Sequence, residues 1–300
     1  MTDRPAPPVA AEKPVETIVH GETLVDPYAW LRDPAYPTVE DREILAYLEA
    51  ENAHHDAVMA PLASLAETLF AEMRGRIKED ESSVPVRRGD WWWFRKFEQG
   101  AQYPWHGRRR GAIDGPVETI LDEVAMAEGK AYFDLGGVEP NRDQSLLAYA
   151  VDEDGSERYE LRFRDLATGE DLADAIPNTQ GAAVWSADGR TVFYARLDEN
   201  LRPSSVWRHR IGTAAAEDSC VNEEKDPGFW LGIGETSDRT QIVIAVGDKE
   251  TSAVSIAPAD QPDAPFVAAI PRFPGRQVEV DHAHGWFYVK TDDRHRNFRL

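Results

Sequence analysis

Ser186-Ala187-Asp188-Gly189-Arg190-Thr191-Val192-Phe193-Tyr194 is a turn followed at once by a strand. Asp-Gly suits a tight reversal of the chain, and Thr-Val-Phe-Tyr is the β-branched and aromatic run of a buried strand. The same texture recurs to either side, in Trp91-Trp92-Trp93-Phe94, Leu146-Leu147-Ala148-Tyr149, Gln241-Ile242-Val243-Ile244 and Gly285-Trp286-Phe287-Tyr288. With Phe94, Tyr149, Tyr194, Ile244 and Tyr288 as equivalents, the steps are 55, 45, 50 and 44 residues. Four-stranded propeller blades repeat at about 40–50 residues. Within one repeat, Asp152-Glu153-Asp154-Gly155-Ser156 leads from one strand into Tyr159-Glu160-Leu161-Arg162-Phe163, and Thr168-Gly169 turns that strand into the next. Strand, hairpin, strand, turn, strand is the order inside a blade. The spacing predicts a mainly β chain with about five blades over residues 77–300. The last blade is incomplete, because Asn297-Phe298-Arg299-Leu300 stands where Tyr159 to Arg162 stand in the earlier repeat.

Residues 1–76 read differently. The first 25 are Pro-rich and extended, and Arg32-Asp33-Pro34 and Tyr36-Pro37 act as breakers. Thr38 with Asp41 resembles a capping box. Ile44, Leu48, His55 and Met59 then follow at helical spacing. Pro61 ends this helix and suits the first turn of a second, whose stripe is Leu62, Leu65, Leu69 and Met73 and whose stop is Gly75. An N-terminal arm and two α-helices are expected.

At about 150 residues per domain, 300 residues allow two domains. Acidic residues number 54 and basic residues 33, a formal net charge of −21. This excludes a generally basic surface for nucleic acid or anionic membrane, so neither is expected as a partner. A hydrophobic share of 42% with 10% aromatics excludes a disordered chain. A single cysteine, Cys220, excludes an internal disulfide and a Cys-rich metal site. The stretch from Met1 to Pro8 lacks the apolar core of a secretory signal, and no run of about 18 apolar residues occurs. A cytoplasmic location is expected.

No Gly-x-Ser-x-Gly elbow, P-loop or His-Glu-x-x-His pattern is present. Gly232-Ile233-Gly234 begins like a dinucleotide fingerprint but precedes a strand, with Ser237 where the third glycine belongs. Asp152, Asp154 and Gly155 lack the further ligands of a calcium loop and read as a hairpin. His54 and His55 are adjacent on a helix and diverge. His282 and His284 would share one side of a strand, though nothing clearly completes a zinc site. No metal or cofactor is expected. Arg108-Arg109-Arg110 reads as strand residues paired with neighbouring carboxylates, and Trp91 to Phe94 as propeller core. Cys220 follows Glu217-Asp218, whose charges would raise its thiol pKa.

Several strings carry a resemblance. Asp26-Pro27-Tyr28-Ala29-Trp30-Leu31-Arg32-Asp33, Leu45-Ala46-Tyr47-Leu48-Glu49-Ala50-Glu51-Asn52-Ala53 and Arg76-Ile77-Lys78-Glu79-Asp80-Glu81-Ser82-Ser83-Val84-Pro85 come first. Gln102-Tyr103-Pro104, Glu157-Arg158-Tyr159, Val184-Trp185-Ser186-Ala187-Asp188-Gly189 and Val206-Trp207-Arg208-His209 follow in order. Together they resemble the prolyl oligopeptidase family of serine peptidases, most closely its oligopeptidase B branch, over essentially the whole chain. The resemblance implies a seven-bladed β-propeller capping an α/β-hydrolase domain, with the N-terminal arm and helices belonging to the latter. It implies cleavage of short peptides after Lys or Arg, with a carboxylate-lined pocket for the basic side chain, and a propeller that restricts entry. The family's catalytic Ser, Asp and His follow the propeller, so they are expected beyond Leu300 and no position here is catalytic. The chain would then lack the hydrolase domain and be inactive alone. Glu139-Pro140-Asn141-Arg142-Asp143-Gln144 departs from the family's Ser-Pro-Asp-Gly-like turn. The alternatives are a stand-alone propeller for protein interaction and a non-functional truncation product.

Overall fold

The computed structural model describes residues 5–36 and 38–300, so the readings of residues 1–4 and of Pro37 lie outside it. The chain forms two compact units, one up to Lys78 and one from Glu79 to Leu300. Among the described residues no helix is long and apolar enough to cross a membrane.

In the first unit, β1 (Val15–Val19) and β2 (Glu22–Asp26) pair antiparallel. Their two-residue turn is His20-Gly21, with φ of 52° and 84°. Two positive φ values match the twist of a type I′ hairpin. The segment read as a plain extended arm therefore contains a hairpin, hidden because His-Gly is not the usual Asn-Gly or Asp-Gly signal. Next, buried Asp33 accepts the backbone N–H groups of Ala35, Glu40 and Asp41 at 2.7–2.8 Å. Those donors, Asp41 first, hold its carboxyl below the ordinary range. α1 (Arg42–Met59) is capped by Asp41, whose Oδ1 accepts from Glu43 and Ile44. Thr38 is not the cap: its N–H closes a turn on Ala35, four residues before the helix starts. A single 3₁₀ turn holding Pro61 joins α1 to α2 (Ala63–Gly75). Ile44 is buried, whereas Leu48, Met59, Leu62, Leu65, Leu69 and Met73 are exposed.

The second unit is a run of antiparallel sheets. Blade 1 contains β3 (Glu81–Ser82), β4 (Val86–Arg88), β5 (Trp91–Phe97), β6 (Trp105–Arg110) and β7 (Val117–Asp122), followed by the short α3 (Glu123–Ala127). Blades 2 and 3 form one seven-stranded sheet. It runs through β8 (Asp134–Pro140), β9 (Leu146–Asp152), β10 (Tyr159–Asp165), β11 (Asp171–Trp185), β12 (Thr191–Leu197), β13 (Pro203–Arg210) and β14 (Ser219–Glu223). The 15-residue β11 belongs to both blades: its first half pairs with β10, its second with β12. Asn178, at φ 60°, marks the passage between them. Blade 4 is β15 (Trp230–Glu235), β16 (Gln241–Gly247), β17 (Ser252–Pro258) and β18 (Val267–Ile270). The fifth repeat holds β19 (Val278–Ala283) and β20 (Trp286–Thr291), with one further bridge from Thr291 to Arg299.

Side-chain alternation explains the stacking, because residues of period two point to opposite faces of a sheet. Leu147, Tyr149 and Val151 of β9 pack with Ile120, Leu121 and Phe133 toward blade 1. Ala148 and Ala150, on the other face, pack with Trp185, Val192 and Tyr194 of blade 3. Phe193 and Ala195 in turn meet Leu231, Ile242 and Ile244 of blade 4. β9 and β12 are therefore buried on both faces, which is why these strands stand out in the sequence. Burying one such large side chain contributes about 1.5–3 kcal/mol.

Candidate functional site

The first strands of successive blades line a cavity. The end of β4, β8, the second half of β11 and β15 surround about 630 Å³, lined by Arg87, Arg88, Glu139, Trp185, Glu235 and Arg239. The volume lies within the 300–1,000 Å³ typical of ligand pockets. Gly137 lies close against the Gly181 carbonyl, where a Cβ would sit 2.4 Å away, so β8 and β11 approach tightly there.

Its charged groups are partly matched. Arg88 Nη1 lies 2.8 Å from Glu139 Oε1, and the Trp185 indole donates to the Glu139 carbonyl at 2.9 Å. Arg239 Nε is 2.6 Å from Glu235 Oε1. Arg142 of blade 2 donates to the Arg239 carbonyl of blade 4, reaching past blade 3. Burial pushes Glu235 above the ordinary carboxylate range against the pull of Arg239, and the charge of Glu139 adds to the push. Arg87 donates only to the Gly89 carbonyl and has no carboxylate partner among the described residues.

The residues singled out in the sequence are dispersed. Arg108 forms a two-pronged pair with Glu118, at 3.1 and 2.9 Å, and stacks 3.8 Å from the Trp91 ring. Arg109 donates to the Ile113 carbonyl and lies over Phe94. The aromatic run is thus half core, with Phe94 buried, and half a bed for these arginines. Asp152 spends both oxygens on the backbone N–H groups of Asp154, Gly155 and Glu157, a hairpin and not an ion loop. Gly232 and Gly234 lie inside strand β15.

His282 and His284 do not share a strand face. β19 ends at Ala283, and His284 sits in the turn at φ 53°. His282 Nδ1 instead lies 2.6 Å from Asp238 and 3.0 Å from the Thr240 hydroxyl, tying the fifth repeat to blade 4. His54 and His55 lie on α1, where His55 contacts Asp56. Cys220 faces Trp207 across the β13–β14 pair. Its thiol is pushed up by burial first and then by Glu223, not by the Glu217-Asp218 charges expected from sequence.

One ionic cluster had no signal in the sequence. His209 is wholly buried, with Nδ1 2.7 Å from Asp218 and Nε2 3.0 Å from Asp174. Its ring stacks on Phe163. Among the described residues no serine hydroxyl hydrogen-bonds a histidine; the one hydroxyl that does is that of Thr240, on His282.

Comparison with known proteins gives one family. Residues 7–300 match the model described as prolyl oligopeptidase, N-terminal beta-propeller domain. The chain is 39% identical to the dipeptidyl aminopeptidase BI of Pseudoxanthomonas mexicana and 31% identical to protease 2 of Moraxella lacunata. In both cases 98% of this chain and 43% of the relative are covered. The oligopeptidase B of Trypanosoma brucei, solved in a closed form with covalently bound antipain, superposes with a TM-score of 0.87 at 29% identity. That match covers 96% of this chain and 43% of the other. The chain thus spans less than half the length of the relatives it matches.

Proposed function

Because this chain belongs to the prolyl oligopeptidase family, through that family's N-terminal β-propeller domain, we propose that it is the propeller-bearing portion of a cytoplasmic, oligopeptidase-B-like serine endopeptidase that cleaves short peptides after Lys or Arg. The family match over 294 of 300 residues, 7–300, is the observation that carries this reading. The likeness to protease 2 and oligopeptidase B favours the basic-residue branch. In this reading the Ser, Asp and His lie C-terminal to Leu300, on an α/β-hydrolase domain that also receives the 1–76 segment. Ser attacks the scissile carbonyl, His takes and returns the proton, and Asp orients the His. The stacked blades admit only short peptides, and opening and closing of the domains gates access. The closed form described for the trypanosomal relative supports that gating. The −21 charge favours approach of cationic substrates.

The test compares residues 1–300 with a chain extended along its reading frame, on fluorogenic peptides with Arg, Lys, Pro or Glu at P1. The extended chain is expected to cleave the Arg and Lys peptides at least ~100-fold faster than the Glu peptide, as expected of a site with charge-assisted recognition. Residues 1–300 alone should cleave none. Hydrolysis by 1–300, or a preference for Pro, would overturn the proposal.

A further inference from the structure

We propose that the cavity end marked by Arg87 binds the free C-terminal carboxylate of a short peptide. This rests on the peptidase reading above and adds to it which end of the peptide the propeller holds.

The first argument is charge accounting. The chain carries 54 acidic and 33 basic residues, yet the ionisable lining of this cavity is three arginines to two glutamates. Both carboxylates are already engaged, Glu139 by Arg88 and Glu235 by Arg239. Arg87 is left over, satisfied only through one bond to a backbone carbonyl. Its guanidinium has five N–H donors in a fork that matches a carboxylate. A local cationic surplus on a strongly anionic molecule selects an anionic group from a ligand whose remainder is neutral or basic.

The second argument is the wall. A Cβ added to Gly89 or Gly234 would meet nothing within 4 Å, so backbone lies bare beside the charged groups. β8 and β15 each pair on one side only, leaving edge N–H and C=O groups that an extended peptide can use. Trp185, buried at 1% exposure with its indole tied to Glu139, fixes that wall. Arg142, bonded to the Arg239 carbonyl, links the hairpins of blades 2 and 4. A carboxylate arriving here meets a spare guanidinium. An ammonium would meet only carboxylates that arginines already neutralise. Free phosphate shares the carboxylate's chemistry and is the competing source.

Binding to the 300-residue chain by calorimetry tests this, with acetyl-trialanine as the free acid, the same peptide as its C-terminal amide, and inorganic phosphate. The acid should bind saturably, and the amide at least about tenfold more weakly, the cost of losing one charge-assisted hydrogen-bond pair. Arg87→Gln should weaken the acid by a similar factor. Arg87 is a surface residue bonded only to Gly89, so the variant should melt with the parent protein. Acid and amide binding alike, acid binding that survives Arg87→Gln, or phosphate binding without peptide binding would each overturn the site. None of those results touches the hydrolysis assay, so the two proposals fail separately.

Discussion

His209 has no exposed surface, and each ring nitrogen meets a carboxylate. Its place in the repeat explains it. In blade 3, the Tyr194 hydroxyl donates to Asp218 at 2.6 Å, and Asp218 also meets His209. In blade 2, the Tyr149 hydroxyl donates to Asp171 at 2.8 Å, and Asp171 also meets Arg164. Arg164 lies opposite Leu147 and His209 opposite Val192, each two residues before its tyrosine, so the triads are equivalent. Blade 4 has Ile244 and Ala257 at these places, an apolar version of the same joint. Each also reaches the blade before it, His209 through Asp174 of blade 2 and Arg164 through the Ile120 carbonyl of blade 1, which makes His209 a clasp between blades. Removing one member of a buried ionic set strands the others, at about 3–5 kcal/mol. His209→Ala is expected to lower the urea-derived unfolding free energy by that amount. A loss under ~1 kcal/mol would show that the clasp adds nothing to stability. Burial first, and then Asp171, push the Tyr149 phenol up to about 12. A phenol raised from about 10 contributes its full stabilisation below pH 10 and loses it as pH climbs toward 12. Tyr149→Phe should therefore remove a late-titrating phenol from the ultraviolet titration and flatten the decline in stability across that window.

Among elements, the hairpins joining first to second strands follow one rule. The loops are Asn141-Arg142-Asp143-Gln144-Ser145, Ser186-Ala187-Asp188-Gly189-Arg190 and Thr236-Ser237-Asp238-Arg239-Thr240. In each, the aspartate accepts the backbone N–H two residues on, and the fourth residue is left-handed, at φ 62°, 66° and 60°. The blade 2 loop, which departs from the family wording, still makes the same turn. Gln144 takes the glycine's place because its amide donates to the Arg88 carbonyl and accepts from the Trp93 indole, fastening blade 2 to blade 1. Sequence reading found the Asp-Gly loop because glycine announces a positive φ. It could not announce Gln144 or Arg239, whose strain is offset by partners far along the chain. At Gly189 a Cβ would be both left-handed and 3.2 Å from the Asn141 amide nitrogen. Asn141 itself bonds the Gly189 carbonyl. Gly189→Ala should cost about 1–2 kcal/mol, read as a drop in melting temperature. An unchanged melting temperature would mean that the loop relaxes freely.

At the scale of the whole molecule, the legible part of the fold is its second strands, above all β9 and β12, where neighbours on both faces make them almost continuously apolar. First and fourth strands were faint: Ser219–Glu223 has no buried residue, and β11 runs through Pro177-Asn178. The charged cavity was not legible at all. Arg87, Glu139, Glu235 and Arg239 come from three blades with no shared local spacing, and only the stacking of the blades brings them together. Charge acts at this scale in two opposed ways. A net −21 destabilises the compact state by self-repulsion, and that repulsion fades as pH falls toward the pI near 4.8. Against it stand carboxylates whose pKa is lower when folded. The Ser145 hydroxyl holds Asp143 down, the N–H groups of Thr168 and Ala167 hold Asp165 down, and those of Glu250 and Thr251 hold Asp248 down. At Asp188 and Asp238 burial pushes upward, but the N–H groups of Arg190 and Thr240 lead the bonds that outweigh it. A lowered carboxyl stabilises fully above its unfolded value of about 3.9 and loses that contribution as pH falls through its folded value. Stability should therefore rise or stay level from pH 7 to about 5, then fall below about 4. Added salt should raise the melting temperature at pH 7 by screening repulsion and have far less effect near pH 5. Melting curves across pH and salt would decide it. A steady decline from pH 7 downward would mean that repulsion is negligible here, and stability retained at pH 2 would mean that the turn carboxylates are.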